Sequence, residues 1–581
     1  MAHTVAACKV GLTIVSSRSQ ARWDIKTTRR FSFGASQVCP SRRYVLLLPL
    51  VRALYFYHHG VITLSQICSI DDCTREVFQS TTECVLHCKK NDYSHDFQNN
   101  GILRTFYDAL IEYITESAFE WKKPDNPEIV NAESFKNYLQ EGVGSDEVVN
   151  FCNNEVTVFN FIFFPCRESR DHFDYLKLLR KIKGAHFNYC KFTAHSIEIP
   201  KVEAFFQDCE FFQWWTITQS KLLGNVNNVL YQNCTFREDV SSHLGDEHSS
   251  TLDVPLFNNC SFDKSLSFES VILKKPVFNN TDDDLIKIHK LRIENCEIDG
   301  KFVLNKLNAE YMLIENSEFK AKFELKEGLI DEIELINTNF NGLFDSYSTE
   351  YGRFYCFKCI FSDFVGFEKS KFAALQGDNE LNQLSIFRYV TFLSFTNFRN
   401  STFFQGIDLE NTNLKEAPNF LNIEVLSNNT NRETLRIIKD SFDKIGNHIE
   451  ANKFFVLEMA KYKQGLSDKP FNQEKLIFWL NEKSSNFGQS YLLPVLWIVL
   501  FSIIYYLLIL GHESNLLYNL VPSANEAISS VSSVLNGIAA NIIPLKKLLR
   551  EGMEFTSLVF YVIFASLIWQ TIVALKRHTR R

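Results

Sequence analysis

Cys68, Cys73, Cys84, His87 and Cys88 stand in a C-x4-C-x10-C-x2-H-C arrangement, four thiols and an imidazole in one short segment. Thiolate and imidazole are the groups that hold zinc in a tetrahedron, so the segment carries enough soft donors for a structural metal site. The first spacing, however, is wider than the usual C-x2-C knuckle, and free cysteine is often simply a small buried side chain. The expectation is therefore buried or incidental thiols, with no metal assigned.

Elsewhere the chemistry-bearing residues read as scaffold. Asp239, His243, Asp246 and His248 fall in a Ser/Gly-rich insertion and read as surface, and Asp282, Asp283 and Asp284 as a solvated loop. Arg170, Asp171, His172 and Asp174 precede Tyr175-Leu-Lys-Leu-Leu, where acids near a helix start favour capping over catalysis. No P-loop, no G-x-G-x-x-G opening a helix and no G-x-S-x-G elbow occurs. No paired carboxylates with a basic partner recur in a common register, as a β-helix glycosidase would need. The expectation is a non-enzymatic protein with no catalytic residue and no cofactor.

The elements that carry these residues are announced by composition. Of 581 residues, 53 are Phe, against 21 Tyr and 7 Trp, while hydrophobic residues make 45% and charged residues 22%. Such values exclude wholesale disorder and collagen, and a net charge of −7 gives no reason to expect nucleic-acid binding. All 15 Cys lie at or before Cys359, which argues for free thiols in a reducing compartment and against a disulfide framework. Residues 1 to 60 carry Lys9, Arg18, Arg22, Lys26, Arg29, Arg30, Arg42, Arg43 and Arg52 against Asp24 alone, the pattern of a basic leader or of non-native residues ahead of the true start.

The Phe residues recur in a theme. QDCEF ends at Phe211, QNCTF at Phe236, NNCSF at Phe262 and ENCEI at Ile298, followed by ENSEF at Phe319, INTNF at Phe340 and FKCIF at Phe361, with NYCKF at Phe192 read as the start. Positions 298, 319, 340 and 361 are each 21 apart, a solenoid signature, because one coil buries its apolar side only against the next. A small residue two before a large apolar one matches strand alternation with both pointing inward. Cys209, Cys234, Cys260, Cys296 and Cys359 are thus expected as small buried side chains, not nucleophiles. Downstream the steps shorten to five and six residues, at Phe392, Phe398, Phe403, Leu409 and Leu414.

These steps, from Val390 to Phe420, resemble the pentapeptide-repeat family; Phe replaces Leu at most central positions, and the likeness is looser from Phe192 to Phe361. The resemblance implies a right-handed, four-sided parallel β-helix, a rigid rod with flat faces. Glu450-Ala-Asn-Lys-Phe454-Phe455-Val-Leu-Glu458 and Asn486-Phe487-Gly488 look like the helical linker of bacterial pentapeptide-repeat membrane proteins. The likeness then covers residues 156 to 581. Thr430-Asn-Arg-Glu433 reads as a capping box opening one amphipathic helix with Leu435, Ile438, Phe442, Ile445, Ile449, Phe455 and Met459 on one side.

Tyr491–Leu510 and Phe555–Leu575 run without a charge and match the thickness of a hydrocarbon core. The tail Lys576, Arg577, His578, Arg580, Arg581 places the C-terminus, and with two spans the N-terminal body, on the cytoplasmic side. This would be the inner membrane in a bacterium. Between the spans, residues 527–545 read as an amphipathic helix with Ser and Asn on its polar face, suited to a re-entrant segment or an interfacial position. Asn536 and Asn541 are candidate pore or helix-contact residues, and Gln570 could join helices in a homo-oligomer.

The chain is thus expected to be mainly β. Its parts are a basic leader (1–60), a helical N-terminal region (61–155), a right-handed parallel β-helix (156–426), a helical linker (427–489) and a two-span membrane domain (490–581). The expected function is a membrane-anchored cytoplasmic rod that binds a protein partner and is coupled to a channel-like tail. The alternatives are a passive scaffold, a β-helix carbohydrate-active enzyme or a DNA-mimicking regulator.

Overall fold

The computed structural model describes residues 67–71, 73–89, 102–166, 173–193, 203–217, 221–222, 229–242, 250–280, 285–374, 383–466, 473–514, 525–542 and 549–579. The leader, Arg170 to His172, His243 to His248 and Asp282 to Asp284 lie outside these residues. The chain divides into two units, 1–65 and 66–581, and the second is taken here by itself.

It opens with helices α1 (Ile102–Trp121), α2 (Ala132–Glu141) and α3 (Asp146–Asn153). Leu103, Phe106, Leu110 and Ile114, spaced by three and four, form one buried stripe of α1. Asn131 and Ser134 cap α2 reciprocally, and Gly142 closes it at φ 76. A single turn, α4 (Leu176–Leu179), follows inside the first coils, with Asp174 Oδ1 accepting from the Leu176 amide. The N-cap itself is Tyr175, which makes no side-chain cap bond, so the acid acts one residue ahead of the cap.

From Val156–Asn160 to Glu424–Val425 the strands pair in parallel, in four sheets that run along a solenoid of about 10 turns. Strand alternation does the sorting on either side of a phase shift: in Ile286–Glu294 the buried pairs Ile286/Ile288 and Leu291/Ile293 point inward while charged neighbours face out. Phe rings stack coil on coil: Phe192 on Phe211 at 4.9 Å, Phe211 on Phe236 at 4.5 Å, and Phe319 on Phe340 and Phe340 on Phe361 at 5.0 Å. Each stacked ring sits in contact with the rings before and after it, which excludes water from the whole column.

Corners are made by one residue in the left-handed region ahead of each small residue: Asp208, Asn233, Asn259, Asn295, Asn316 and Asn337 all have φ between 48 and 55. Asn and Asp tolerate that region better than other side-chain-bearing residues, which explains the N-C-x-F signature. The amides also bond along the rod, Asn259 Nδ2 to Asn233 Oδ1 at 3.0 Å and Asn337 Nδ2 to Asn316 Oδ1 at 2.7 Å.

The small position carries more than bulk. Cys209, Cys234 and Cys296 donate through sulfur to the carbonyl two residues back at 3.2, 3.4 and 3.2 Å, as Ser317 and Thr338 do through oxygen at 2.7 and 2.9 Å. Cys, Ser and Thr interchange there because each is a compact donor that closes the corner. Cys359→Ser should therefore leave the rod's stability nearly unchanged, whereas Cys359→Ala should cost about 0.5–1.5 kcal/mol. Urea unfolding of the two variants side by side checks this, and an alanine as stable as serine would remove the hydrogen-bonding role.

The recurring theme occupies two edges of the coil, and one residue expected in its core, Leu414, is not buried. Phe192, Phe211, Phe236 and Phe262 align on one edge of the coil, and Phe262 pairs next with Ile288. Ile298, Phe319, Phe340, Phe361, Phe392 and Leu414 align on another edge, where the predecessor of Ile298 is Leu273. The interval of 36 between Phe262 and Ile298 is the jump between edges: both use the same corner chemistry, so sequence cannot separate them. Leu414, at the last coil, is only half-buried, while Cys209, Cys234, Cys260, Cys296, Phe398, Phe403 and Leu409 are all buried.

Beyond the rod come α5 (Arg432–Lys444), α6 (His448–Gln464), α7 (Gln473–Ser485), α8 (Leu492–Glu513), α9 (Asn525–Ile542) and α10 (Glu554–Thr579). The cap of α5 is Asn431, which accepts from Thr434 N at 2.8 Å; Thr430 instead accepts from the Ile407 amide of the last coil at 3.3 Å. The single amphipathic helix is two, broken at Gly446 with φ 77. Leu435, Ile438 and Phe442 are buried, Phe442 stacks on Phe454 at 5.8 Å, and Ile445 and Ile449 are exposed because they flank the break. Buried Glu458 of α6 holds Lys439 of α5 at 3.0 Å.

Candidate functional site

Three places in the described residues gather functional groups, and the first is the thiol segment. Its backbone is a string of turns pinned by the bridge Ile67 to Glu76 and by bonds from Cys68 N to Arg75 O at 3.0 Å and Ser69 N to Thr82 O at 2.9 Å. A turn after Cys84 brings His87 back, its amide on the Cys84 carbonyl at 3.0 Å. The sulfurs of Cys68, Cys73 and Cys84 and one ring nitrogen of His87 thereby lie within 4.8 Å of one another. His87 Nδ1 is 3.4 Å from both Cys68 Sγ and Cys84 Sγ, and Cys73 Sγ is 3.8 Å from Cys84 Sγ. Cys88 stands apart, its thiol on the Val85 carbonyl at 3.8 Å. Burial pushes the Cys84 thiol up to about 12; the backbone donors of His87 and Leu86 pull it down, and the neighbouring Cys73 and Cys68 raise it further. Four of the five residues flagged by spacing thus converge, which sequence alone could not establish because the x10 stretch has no fixed geometry.

The second place lies on the long-strand face of the rod. Lys290, Tyr311, Glu332 and Arg353 stand in register on successive coils, and a depression of about 380 Å³ is lined by Lys290, Arg292, Glu310, Tyr311, Asp331 and Glu332. Arg353 pairs with Glu332 and lies 3.2 Å from Glu334, and the Tyr311 hydroxyl donates to Glu334 at 3.2 Å. Burial and then the Glu310 charge raise the Asp331 carboxyl above its ordinary range, and burial with Glu334 pushes Tyr311 up to about 12. Sequence reasoning passed over these residues because they are one coil apart and become neighbours only through stacking. With Glu332 paired to Arg353, the depression keeps side chains of both charge signs, Lys290 and Arg292 beside Glu310 and Asp331.

The third place is the apolar C-terminal hairpin. α8 and α10 contain runs of 22 and 24 residues long and apolar enough to cross a membrane, with only 6% and 22% of their apolar windows buried. They are joined by Tyr505 and Ser557, whose hydroxyls are 2.8 Å apart, and by Tyr505 stacked on Phe560 at 4.8 Å. Asn536 of α9 donates to the Gly552 carbonyl at 2.7 Å and accepts from the Phe555 amide at 2.9 Å, so it satisfies a free donor at the start of α10. The Asn541 side chain lies outside the described residues. Gln570 lines a groove of about 620 Å³ together with Trp479, Ser484 and Trp497 of α7 and α8.

The hairpin is tied to the linker. Asn486, Phe487 and Gly488 turn through three successive left-handed residues, φ 49, 55 and 79. Arg577 at the end of α10 donates to the Phe487 carbonyl and lays its guanidinium 4.7 Å from the Phe455 ring centre. Asn452 reaches the Arg577 carbonyl at 3.4 Å, and Gln489 the Asn452 carbonyl at 3.1 Å. A Cβ on Gly488 would come within 3.0 Å of Arg577, so the turn accepts only glycine without strain. No protein-family model, no curated protein and no solved structure matches the chain.

Proposed function

We propose that the protein is a non-enzymatic, membrane-anchored β-solenoid whose rod offers a cytoplasmic binding surface and is coupled through α5 and α6 to a two-span tail. The clamp of Arg577 on the Asn486-Phe487-Gly488 turn carries this reading: it locks the end of the second span to the linker that caps the rod, so a load on the rod is felt at the spans. The rod face around Lys290, Tyr311 and Glu332 is the surface we assign to a protein partner, because paired charges of both signs favour recognition over proton transfer. Lys576 and Arg577 after the second span favour cytoplasmic termini.

A conducting tail is the stronger form of this proposal, with the Ser- and Asn-bearing face of α9 lining a wet path between helices. Purified protein in liposomes should then pass small ions, and Asn536→Leu with Asn541→Leu should reduce the flux at least severalfold. Vesicles that stay sealed while holding folded protein would leave the tail as an anchor, the reading favoured by the engagement of Asn536 with Gly552 and Phe555.

A further inference from the structure

We infer that Cys68, Cys73, Cys84 and His87 form a closed, structural zinc site that fastens the N-terminal cap to the first coil of the rod. A tetrahedral zinc with metal–sulfur bonds of about 2.3 Å and a metal–nitrogen bond of about 2.0–2.1 Å has sulfur–sulfur edges of about 3.8 Å and sulfur–nitrogen edges of about 3.5 Å. The protein places Cys73 and Cys84 sulfurs 3.8 Å apart and both nearest sulfur–nitrogen pairs at 3.4 Å. Three of the six edges of that tetrahedron are therefore already at their bonded length, and all four donors lie within 4.8 Å of one another. With the Cys88 thiol turned to a carbonyl, four donors remain, which equals the coordination number and leaves no position open for substrate.

A second observation points the same way. The Cys84 amide donates to Cys68 Sγ at 3.2 Å, a bond that stabilises a sulfur carrying negative charge. Cys68, Cys84 and His87 are buried and Cys73 half-buried, so three thiolates would be costly there without a cation to offset them. Binding replaces thiol protons by one divalent ion, with those protons released to solvent.

The location gives the ion a purpose. The segment has turns and one isolated bridge in place of helices or strands, and few apolar residues of its own, so it needs a staple to hold a shape. What it holds is the open end of the solenoid. The Leu86 carbonyl, one residue before His87, accepts the Phe163 amide of the first coil at 2.8 Å, and Arg75 bonds Glu116 of α1 at 2.5 Å while its guanidinium lies 5.4 Å from the Tyr113 ring centre. Tyr113 in turn donates to the Val158 carbonyl at 2.9 Å and accepts from Asn160 N at 3.2 Å. Edge groups that would otherwise invite another strand are thus covered by elements the ion ties down.

The test uses the full chain purified in detergent without chelator. Elemental analysis should find about one zinc per chain. Stripped protein titrated with Co²⁺ should develop thiolate-to-cobalt charge transfer and the intense visible bands of a tetrahedral site. Cys73→Ser should lose both signals, Cys88→Ser and Cys209→Ser should keep them, and His87→Cys should keep them with a shifted spectrum, since four thiolates serve as well. Removing zinc should raise hydrogen exchange in the first coil around Phe163 and leave coils near Phe340 unchanged. Cys73 is the least buried ligand, so its serine variant should fold. Absence of zinc together with absence of cobalt bands, retention of metal by Cys73→Ser, or a Cys73–Cys84 disulfide in the purified chain would each overturn the assignment.

Discussion

Truncating Phe211 to alanine is expected to destabilise the rod by about 3–5 kcal/mol, the cost of a large cavity in a core that cannot collapse around it. Phe211 is fully buried, stacked between Phe192 at 4.9 Å and Phe236 at 4.5 Å, with the Trp215 ring 4.3 Å away. Collapse is blocked because the rings above and below are held by their own backbone ladders, and Trp215 is pinned by its bond to the Tyr231 hydroxyl at 2.9 Å. In a solenoid each coil contacts only its neighbours, so the damage should be local. Hydrogen exchange should rise between about Phe187 and Phe262, while the coils carrying Phe319, Phe340 and Phe361 keep their protection. Uniform loss along the whole rod, or none at all, would contradict a stacked column.

Placing Val499→Arg and Ile503→Arg together in α8 should expel the protein from membranes. Each residue is 53% exposed, so in a water-soluble helix the change would fall within about 0.5 kcal/mol. In the middle of a bilayer each arginine costs about 2.5–3.5 kcal/mol on the insertion scale. The two environments therefore predict opposite results from one variant. The unaltered chain should stay in the membrane pellet after alkaline carbonate washing and the variant should pass to the supernatant or be degraded. A variant that behaves like the unaltered chain, in either fraction, would sink the spanning assignment for α8.

The rod was legible because its rules are local. A left-handed corner, a compact donor and a large apolar side chain fall within four consecutive residues, and the donor bonds a carbonyl only two positions back, so Asn295, Cys296 and Ile298 advertise a corner without knowledge of the coil below. The same locality leaves the position around the axis unspecified at residue 298. Phe262 and Ile298 share the signature yet stand on different edges, because the signature encodes a bend and not its place around the axis. Asn431 in place of Thr430 as the cap of α5 has a related cause: both residues suit the role, and Thr430 is drawn off by the Ile407 amide, a contact 23 residues away.

Binding chemistry was the least legible part. The depression at Lys290, Tyr311 and Glu332 exists because coils are 21 residues long there, so groups that are remote in sequence become lateral neighbours. Sulfur positions in the Cys68 to His87 segment depend on where two turns carry Cys73 and Cys84, which no spacing rule specifies. Asn536 was flagged for a polar path and is found holding the start of α10, a partnership set by how α9 folds back.

By itself, then, the amino-acid order determined the repeating corner, the inward Phe and the two uncharged runs within the last helices, because steric preference, alternation and hydrophobic length act within a few residues. Tertiary structure alone decided which rings share a column, which four donors converge and which arginine locks the tail to the linker. Those outcomes depend on the summed lengths of whole coils and turns, where a shift of one residue moves a side chain to another face.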